Sequence, residues 1–164
     1  MLERLNQYAE ILKNAGFGVQ VFQANDSFPL DMLHVGIPSG NEEVQIMSIT
    51  FLPMQGIDIN SIRLAQFHMV LNAEINPGNR SKVLEFIAKI NLATILGFFV
   101  PGPESKVNYK HILSDTLDNP MSEAAFLEVF TMIVFTYRHF TEALVKLTKG
   151  ELDLQQALNS VGVK

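Results

Sequence analysis

One ordered run of segments in the second half of the chain restricts its fold more than composition does. A helix is predicted from Asn79 to Leu92, followed by the strand Gly97-Phe98-Phe99-Val100. A tight Pro101-Gly102-Pro103 turn leads into a second strand from Lys106 to Leu113. A long apolar helix then runs from about Met121 to Leu147, and a short one from Asp153 to Val161. In the first of these helices Val83, Phe86, Ile87 and Ile90 recur at helical spacing, which buries one side and leaves Arg80 and Lys82 to water. Asn76-Pro77-Gly78-Asn79 serves as both a turn and a helix start.

The first half reads as a helix and four strands. Leu2, Leu5, Ala9 and Leu12 share one helical face, and Gly16 is placed to stop that helix. Phe17, Val19 and Val21 alternate, as do Leu33, Val35 and Ile37, the latter closed by Pro38-Ser39-Gly40-Asn41. A third strand holds Val44, Ile46 and Phe51 and stops at Pro53, and a fourth holds Phe67, Met69, Leu71 and Ala73. The stretch from Gln55 to Ala65 fits no single period. Short strands joined by tight turns build an antiparallel meander. Helices at both ends and in the middle then cover a single face, so the expected fold class is α+β. No linker, repeat or composition shift divides residues 1–164, and a single domain is expected.

Composition removes several classes of function. With 12 Lys and Arg against 17 Asp and Glu, a net charge of -5, the chain lacks the clustered positive charge of a nucleic-acid binder. Cysteine is absent, which excludes disulfides, thiolate catalysis and zinc sites built on sulfur. That is compatible with a reducing compartment. The start Met1-Leu2-Glu3-Arg4-Leu5-Asn6 is unlike a basic-then-apolar signal peptide, so a cytoplasmic location is expected. The strongest apolar run, between Glu128 and Arg138, falls far short of the roughly 20 residues needed to cross a bilayer, and no membrane role is expected. In that setting Asn25-Asp26-Ser27 and Asn79-Arg80-Ser81 are chance matches to the glycosylation pattern.

No catalytic constellation is visible, and neither a metal nor a cofactor is expected. His34, His68, His111 and His139 are dispersed without metal-ligand spacing. His34 and His68 share the outward parity of their strands, where they would be neighbours across the sheet. Glu123, Glu128 and Glu142 read as solvated charges on the long helix. Asp115, Asp118 and Asn119 read as turn and capping residues before that helix, with Pro120 near its first turn. Asn91 reads as bonding the exposed carbonyls of its own helix terminus. No serine has a G-x-S-x-G context, and Gly16-Phe17-Gly18 lacks the rest of a dinucleotide fingerprint. One anion site is suggested by residue type at Asn79, Arg80, Ser81 and Lys82, where helix amides, a hydroxyl and two basic side chains converge.

Ile87-Ala88-Lys89-Ile90-Asn91, then Gly97-Phe98-Phe99, then Val107-Asn108-Tyr109-Lys110, then a long helix and a short terminal one form a familiar series. It resembles the YbjN family, described as bacterial sensory transduction regulators. The resemblance covers the segment order of the whole chain. It implies a fold similar to type III secretion chaperones, small acidic domains that dimerise and hold partner proteins in extended form. Four strands precede the middle helix here, where the secretion-chaperone pattern has three. Such motifs identify a fold rather than an activity.

The long helix carries the sharpest expectation. Phe126, Val129, Phe130, Ile133, Tyr137, Phe140 and Leu144 fall on one side, flanked by Leu127, Val134 and Val145, while Met132 and Phe135 project onto the opposite face. A helix that is apolar nearly all round is covered on more than one side. The second cover is either another subunit or the short terminal helix, whose stripe is Leu154, Ala157, Leu158 and Val161. Met132 and Phe135 are therefore the expected dimer or partner interface. An exposed sheet edge offers a second surface by accepting a strand. Met32, Met47, Met54 and Met69, on or beside strands, would be adaptable contacts there. The function expected is a non-enzymatic protein-binding module, chaperone-like or regulatory, that buries apolar partner segments as a homodimer. The alternative is a small-molecule or anion-sensing domain using the turn at Asn79 to Lys82.

Overall fold

Alternation decides which side of each strand is covered. In β2 (Met32–Pro38) Leu33, Val35 and Ile37 are buried while the intervening residues are not. In β3 (Val44–Phe51) the buried set is Met47, Ile49 and Phe51, and in β4 (Ile62–Glu74) it is Ala65, Phe67, Met69 and Leu71. The structure is a computed structural model and describes residues 1–26, 28–38, 44–53 and 61–164. Ser27, the Ser39-Gly40-Asn41 part of the predicted turn, Met54 and the 55–60 part of the ambiguous stretch lie outside the described residues. Among the described residues the other strands and α-helices are α1 (Leu2–Asn14), β1 (Gly18–Phe22), α2 (Arg80–Ala93), β5 (Phe98–Pro101), β6 (Lys106–Thr116), α3 (Glu123–Lys149) and α4 (Leu154–Ser160), with single 3-10 turns at Pro77–Asn79 and Pro103–Ser105. The fold is α+β, an antiparallel sheet with the strand order β1-β2-β3-β4-β6-β5. The first four strands meander, whereas the last two exchange places, because β6 pairs beside β4 and β5 pairs beyond it. Among the described residues no helix is long and apolar enough to cross a membrane.

Backbone contacts group the chain into two compact units, one of Met1–Met69 with Ile112–Phe130 and one of Val70–His111 with Thr131–Lys164. In the first, strand register aligns Val19, Val35, Met47 and Met69 in one inward row and Val21, Leu33, Ile49 and Phe67 in the next. α1 lies over this face with Leu5, Tyr8, Ala9 and Leu12 buried. The Tyr8 ring stacks on Phe126 at 3.9 Å, Phe126 tilts over Phe67 at 6.4 Å, and Phe17 meets Phe130 edge-on at 5.1 Å. Each fully buried side chain here, Tyr8, Phe67, Phe126 and Phe130, contributes about 1.5–3 kcal/mol to folding. Val44 and Ile46 belong to the opposite parity from Phe51 and are 61% and 48% exposed, so the strand predicted around those three residues mixed two faces. Met47 and Met69 are core residues and Met32 is half-buried on the outer face, which leaves no methionine surface of the kind expected among the described residues.

In the second unit α2 buries Val83, Phe86, Ile87 and Ile90, the stripe expected from its spacing. β5 and β6 pair antiparallel, with Phe99 opposite Tyr109 and Val100 opposite Asn108. The Phe99 ring sits 5.0 Å from Tyr109 and 6.2 Å from both Tyr137 and Phe140, which makes this aromatic group the centre of the unit. α4 starts with a reciprocal capping box in which Asp153 and Gln156 bond each other's backbone amides at 2.8 and 3.0 Å. It packs on α2 and buries Ala157 and Leu158.

Candidate functional site

α3 presents two unlike sides. Within its Thr131–Lys149 part, Ile133, Val134, Tyr137, Phe140, Ala143, Leu144 and Leu147 are buried. The other side carries Thr131, Met132, Phe135, Arg138, His139 and Glu142, all exposed. Phe135 is 68% exposed and Met132 46% exposed. The Phe135 ring stacks on the His139 imidazole one turn later, at 5.9 Å and 15° between planes. α4 does not cover Met132 or Phe135, which stay 46% and 68% exposed. Its C-cap residue Val161 reaches the same side of α3 one turn further on, where its carbonyl lies 3.2 Å from His139 Nε2. The result is a small apolar centre ringed by polar and charged groups, with Glu142 held by Lys146 at 2.7 Å. Glu142 thus has the basic partner that spacing alone had not assigned to it.

The turn ahead of α2 is occupied by its own bonds. The Gly78 amide donates to Asn76 Oδ1 at 3.0 Å and the Asn79 amide to the Asn76 carbonyl at 2.8 Å. The Asn79 side-chain amide points back to the Thr148 carbonyl at 3.5 Å. Arg80, Ser81 and Lys82 are all exposed.

The residues behind the family resemblance meet in one structural joint. Asn91 Nδ2 donates to the Phe99 carbonyl and the Phe99 amide donates to Asn91 Oδ1, both at 2.8 Å. Asn91 therefore clasps a strand instead of bonding the carbonyls of its own helix end, which Thr94 serves through Oγ1 and its amide. Tyr109 donates its hydroxyl to the Leu96 carbonyl at 2.8 Å. Gly97 adopts φ +72°, and a Cβ there would fall 2.3 Å from the Tyr109 oxygen and 2.8 Å from the Lys110 carbonyl, so only glycine fits. These residue types are demanded by backbone geometry.

A buried ionic cluster lies in the first unit. Asp115, 2% exposed, accepts from Arg4 Nε at 2.9 Å, from the Tyr8 hydroxyl at 3.2 Å and from the Met121 amide at 2.9 Å. Arg63 Nη2 stands 3.5 Å from the same carboxylate. Arg4 also bonds Gln7 and the Met121 carbonyl and lies over the Tyr8 ring at 4.8 Å. Burial, then the Asp115 charge, push the Tyr8 hydroxyl up to about 12. Asp115 is thus a strand residue of β6 tying α1 to the approach of α3, and the expectation of a turn residue there is corrected. A shallow pocket of about 440 Å³ adjoins it, lined by Ser114, Asp115, Thr116, Asn119, Pro120, Met121, Ser122 and Ala125. Its hydroxyls serve local turns, Thr116 bonding the Asn119 carbonyl and Ser122 accepting from the Ala125 amide. The signal for the cluster lay in α1, where Arg4 and Tyr8 stand one turn apart beside Leu5 on the buried stripe.

On the outer face, register places His34 opposite Ser48 and Ser48 opposite His68. The two histidines share a row but stand two strands apart, roughly 9–10 Å, so they are not the adjacent pair expected. His34 lies against the Phe22 ring at 4.7 Å, and burial holds it below the ordinary histidine range.

No protein-family model matches this chain, and no curated protein matches it in sequence. Among solved structures, the crystal structure of YbjN from E. coli, titled as a candidate transcription regulator, is similar in fold. The two are 11% identical with a TM-score of 0.48, over 91% of this chain and 94% of that one.

Proposed function

We propose that this chain is a non-enzymatic protein-binding module that buries apolar partner surface against the outer side of α3, a second copy of the chain being the first such partner. The observation that carries this reading is Phe135, 68% exposed beside Met132 on a helix whose other side is core. An aromatic ring and a thioether at the centre of a polar rim match the composition of interface hot spots. Burying Phe135 from each of two copies contributes roughly 3–6 kcal/mol. That is about two to four powers of ten in the dissociation constant.

Light scattering behind size exclusion, over a concentration range, tests the proposal. Wild type is expected near twice 18.3 kDa. Phe135→Asp is expected at the monomer mass with unchanged circular dichroism, because an exposed position tolerates the charge. A wild-type monomer at every concentration removes the homodimer. A Phe135→Asp protein that keeps the wild-type mass moves the interface off α3.

A further inference from the structure

β5 is the last strand of the sheet, with a strand neighbour only on its β6 side among the described residues. A strand in that position leaves alternate amides and carbonyls open to pairing with another chain. In an antiparallel ladder those open groups come from every second residue. The Phe99 amide donates to Asn91 and its carbonyl accepts from Asn91, both at 2.8 Å, so Phe98 and Val100 carry the ladder to β6. A primary amide presents one of its two N–H donors and its carbonyl acceptor side by side, as a residue of an antiparallel strand presents its own amide and carbonyl to its opposite number. Asn91, two residues before the end of α2, thus stands where a residue of the next strand would stand.

The surroundings of this clasp favour strand addition once it is removed. From Leu92 to Val100 the chain holds no charged residue. Leu92 and Ile95 are 89% and 85% exposed, and Phe98 is 39% exposed. A two-fold copy of β5 placed antiparallel about Phe99 pairs the Phe99 amide and carbonyl with those of its mate, the same two atoms that Asn91 now holds. Pro101 lacks an amide hydrogen, which limits how far the pairing extends.

We propose that Asn91 is an edge guard: its side-chain amide stands in for a seventh strand and keeps β5 closed to β5 of a second copy. This is independent of the α3 face, which lies on another element. The experiment is light scattering on Asn91→Ala beside wild type at matched concentrations, with hydrogen exchange at the Phe99 amide. The variant is expected to reach at least twice the wild-type mass as concentration rises, with the Phe99 amide protected in the larger species. A folded Asn91→Ala of wild-type mass with a fast-exchanging Phe99 amide overturns the proposal.

Asn91→Asp keeps the test decisive if the alanine variant does not fold. As a carboxylate it presents an acceptor to the Phe99 carbonyl and breaks the clasp, while as a carboxylic acid it regains the donor. Expected is a mass above wild type at neutral pH and equal to wild type once the carboxyl is protonated. Equal masses at both pH values, or failure of both variants to fold, would show that Asn91 is scaffold rather than guard.

Discussion

Replacing Asp115 by Asn removes one charge from a group with almost no exposure and changes its size hardly at all. The Asp115 side chain is 0% exposed and that of Arg4 9% exposed, so solvent screens their attraction little. Asparagine keeps one acceptor for the Met121 amide, but the other position becomes a donor facing Arg4 Nε and the Tyr8 hydroxyl. A buried guanidinium that loses its counter-charge costs about 3–5 kcal/mol, and the lost tyrosine bond adds about 1 kcal/mol. Against a total stability of about 5–15 kcal/mol, a loss of that order is about a quarter of the whole or more. Urea unfolding read by circular dichroism measures it, with the slope required to stay constant. Arg4→Met is expected to cost a similar amount, and Arg4→Met with Asp115→Leu much less than the sum, a coupling of at least about 2 kcal/mol. A loss below about 1 kcal/mol for Asp115→Asn, or additive single variants, would refute the reasoning. The pocket beside the cluster would then admit enough water to solvate the charges.

Two further expectations concern the tyrosines. The Tyr137 hydroxyl is buried without a hydrogen-bond partner among the described residues, whereas the Tyr109 hydroxyl bonds the Leu96 carbonyl. Tyr137→Phe should therefore leave the denaturation midpoint unchanged or raised, while Tyr109→Phe should cost about 1 kcal/mol; the reverse order in urea melts would reject the assignment. The chain has three tyrosines, Tyr8, Tyr109 and Tyr137, and all three are buried. Burial raises Tyr8 and Tyr137 from 10.0 to about 12 and Tyr109 further. A raised acid pKa means the fold holds protons that the unfolded chain releases. The stability from this source is therefore complete below pH 10 and is lost as pH climbs towards 12 and beyond. In an alkaline titration phenolate absorbance should appear together with loss of circular dichroism, and a tyrosine that ionises in the folded protein below pH 10 would contradict the packing.

Local pattern was enough where a single element decides its own contacts. The stripe Val83, Phe86, Ile87 and Ile90 is buried as its period requires, and the α3 stripe from Phe126 to Leu144 is buried apart from the half-buried Val129. The exposure of Met132 and Phe135 follows from the same 100° rotation per residue. Pattern failed where a contact spans the chain. Arg4 and Asp115 are 111 residues apart, and although Arg4 on the buried stripe of α1 asks for a partner, nothing near it names Asp115. Asp115 sits among Ser114, Thr116 and Asp118, a neighbourhood that resembles a turn until β6 is seen to continue to Thr116. Asn91 misleads for a related reason, since a polar residue at a helix end has nearby carbonyls to serve, and only the approach of Phe99 gives it a better partner.

Residue order by itself determined the element types, the inward parity of most strands, the α+β class and the apolar outer spot on α3, because each depends on periods of two or 3.6 residues read within one segment. Tertiary structure alone decided that β6 pairs between β4 and β5, which residues meet across the strands, and that α4 leaves Phe135 open. It alone decided that Asn91 closes a strand edge. These depend on loop closure and on which surfaces compete for the same partner, and such energies belong to pairs of segments rather than to any one of them.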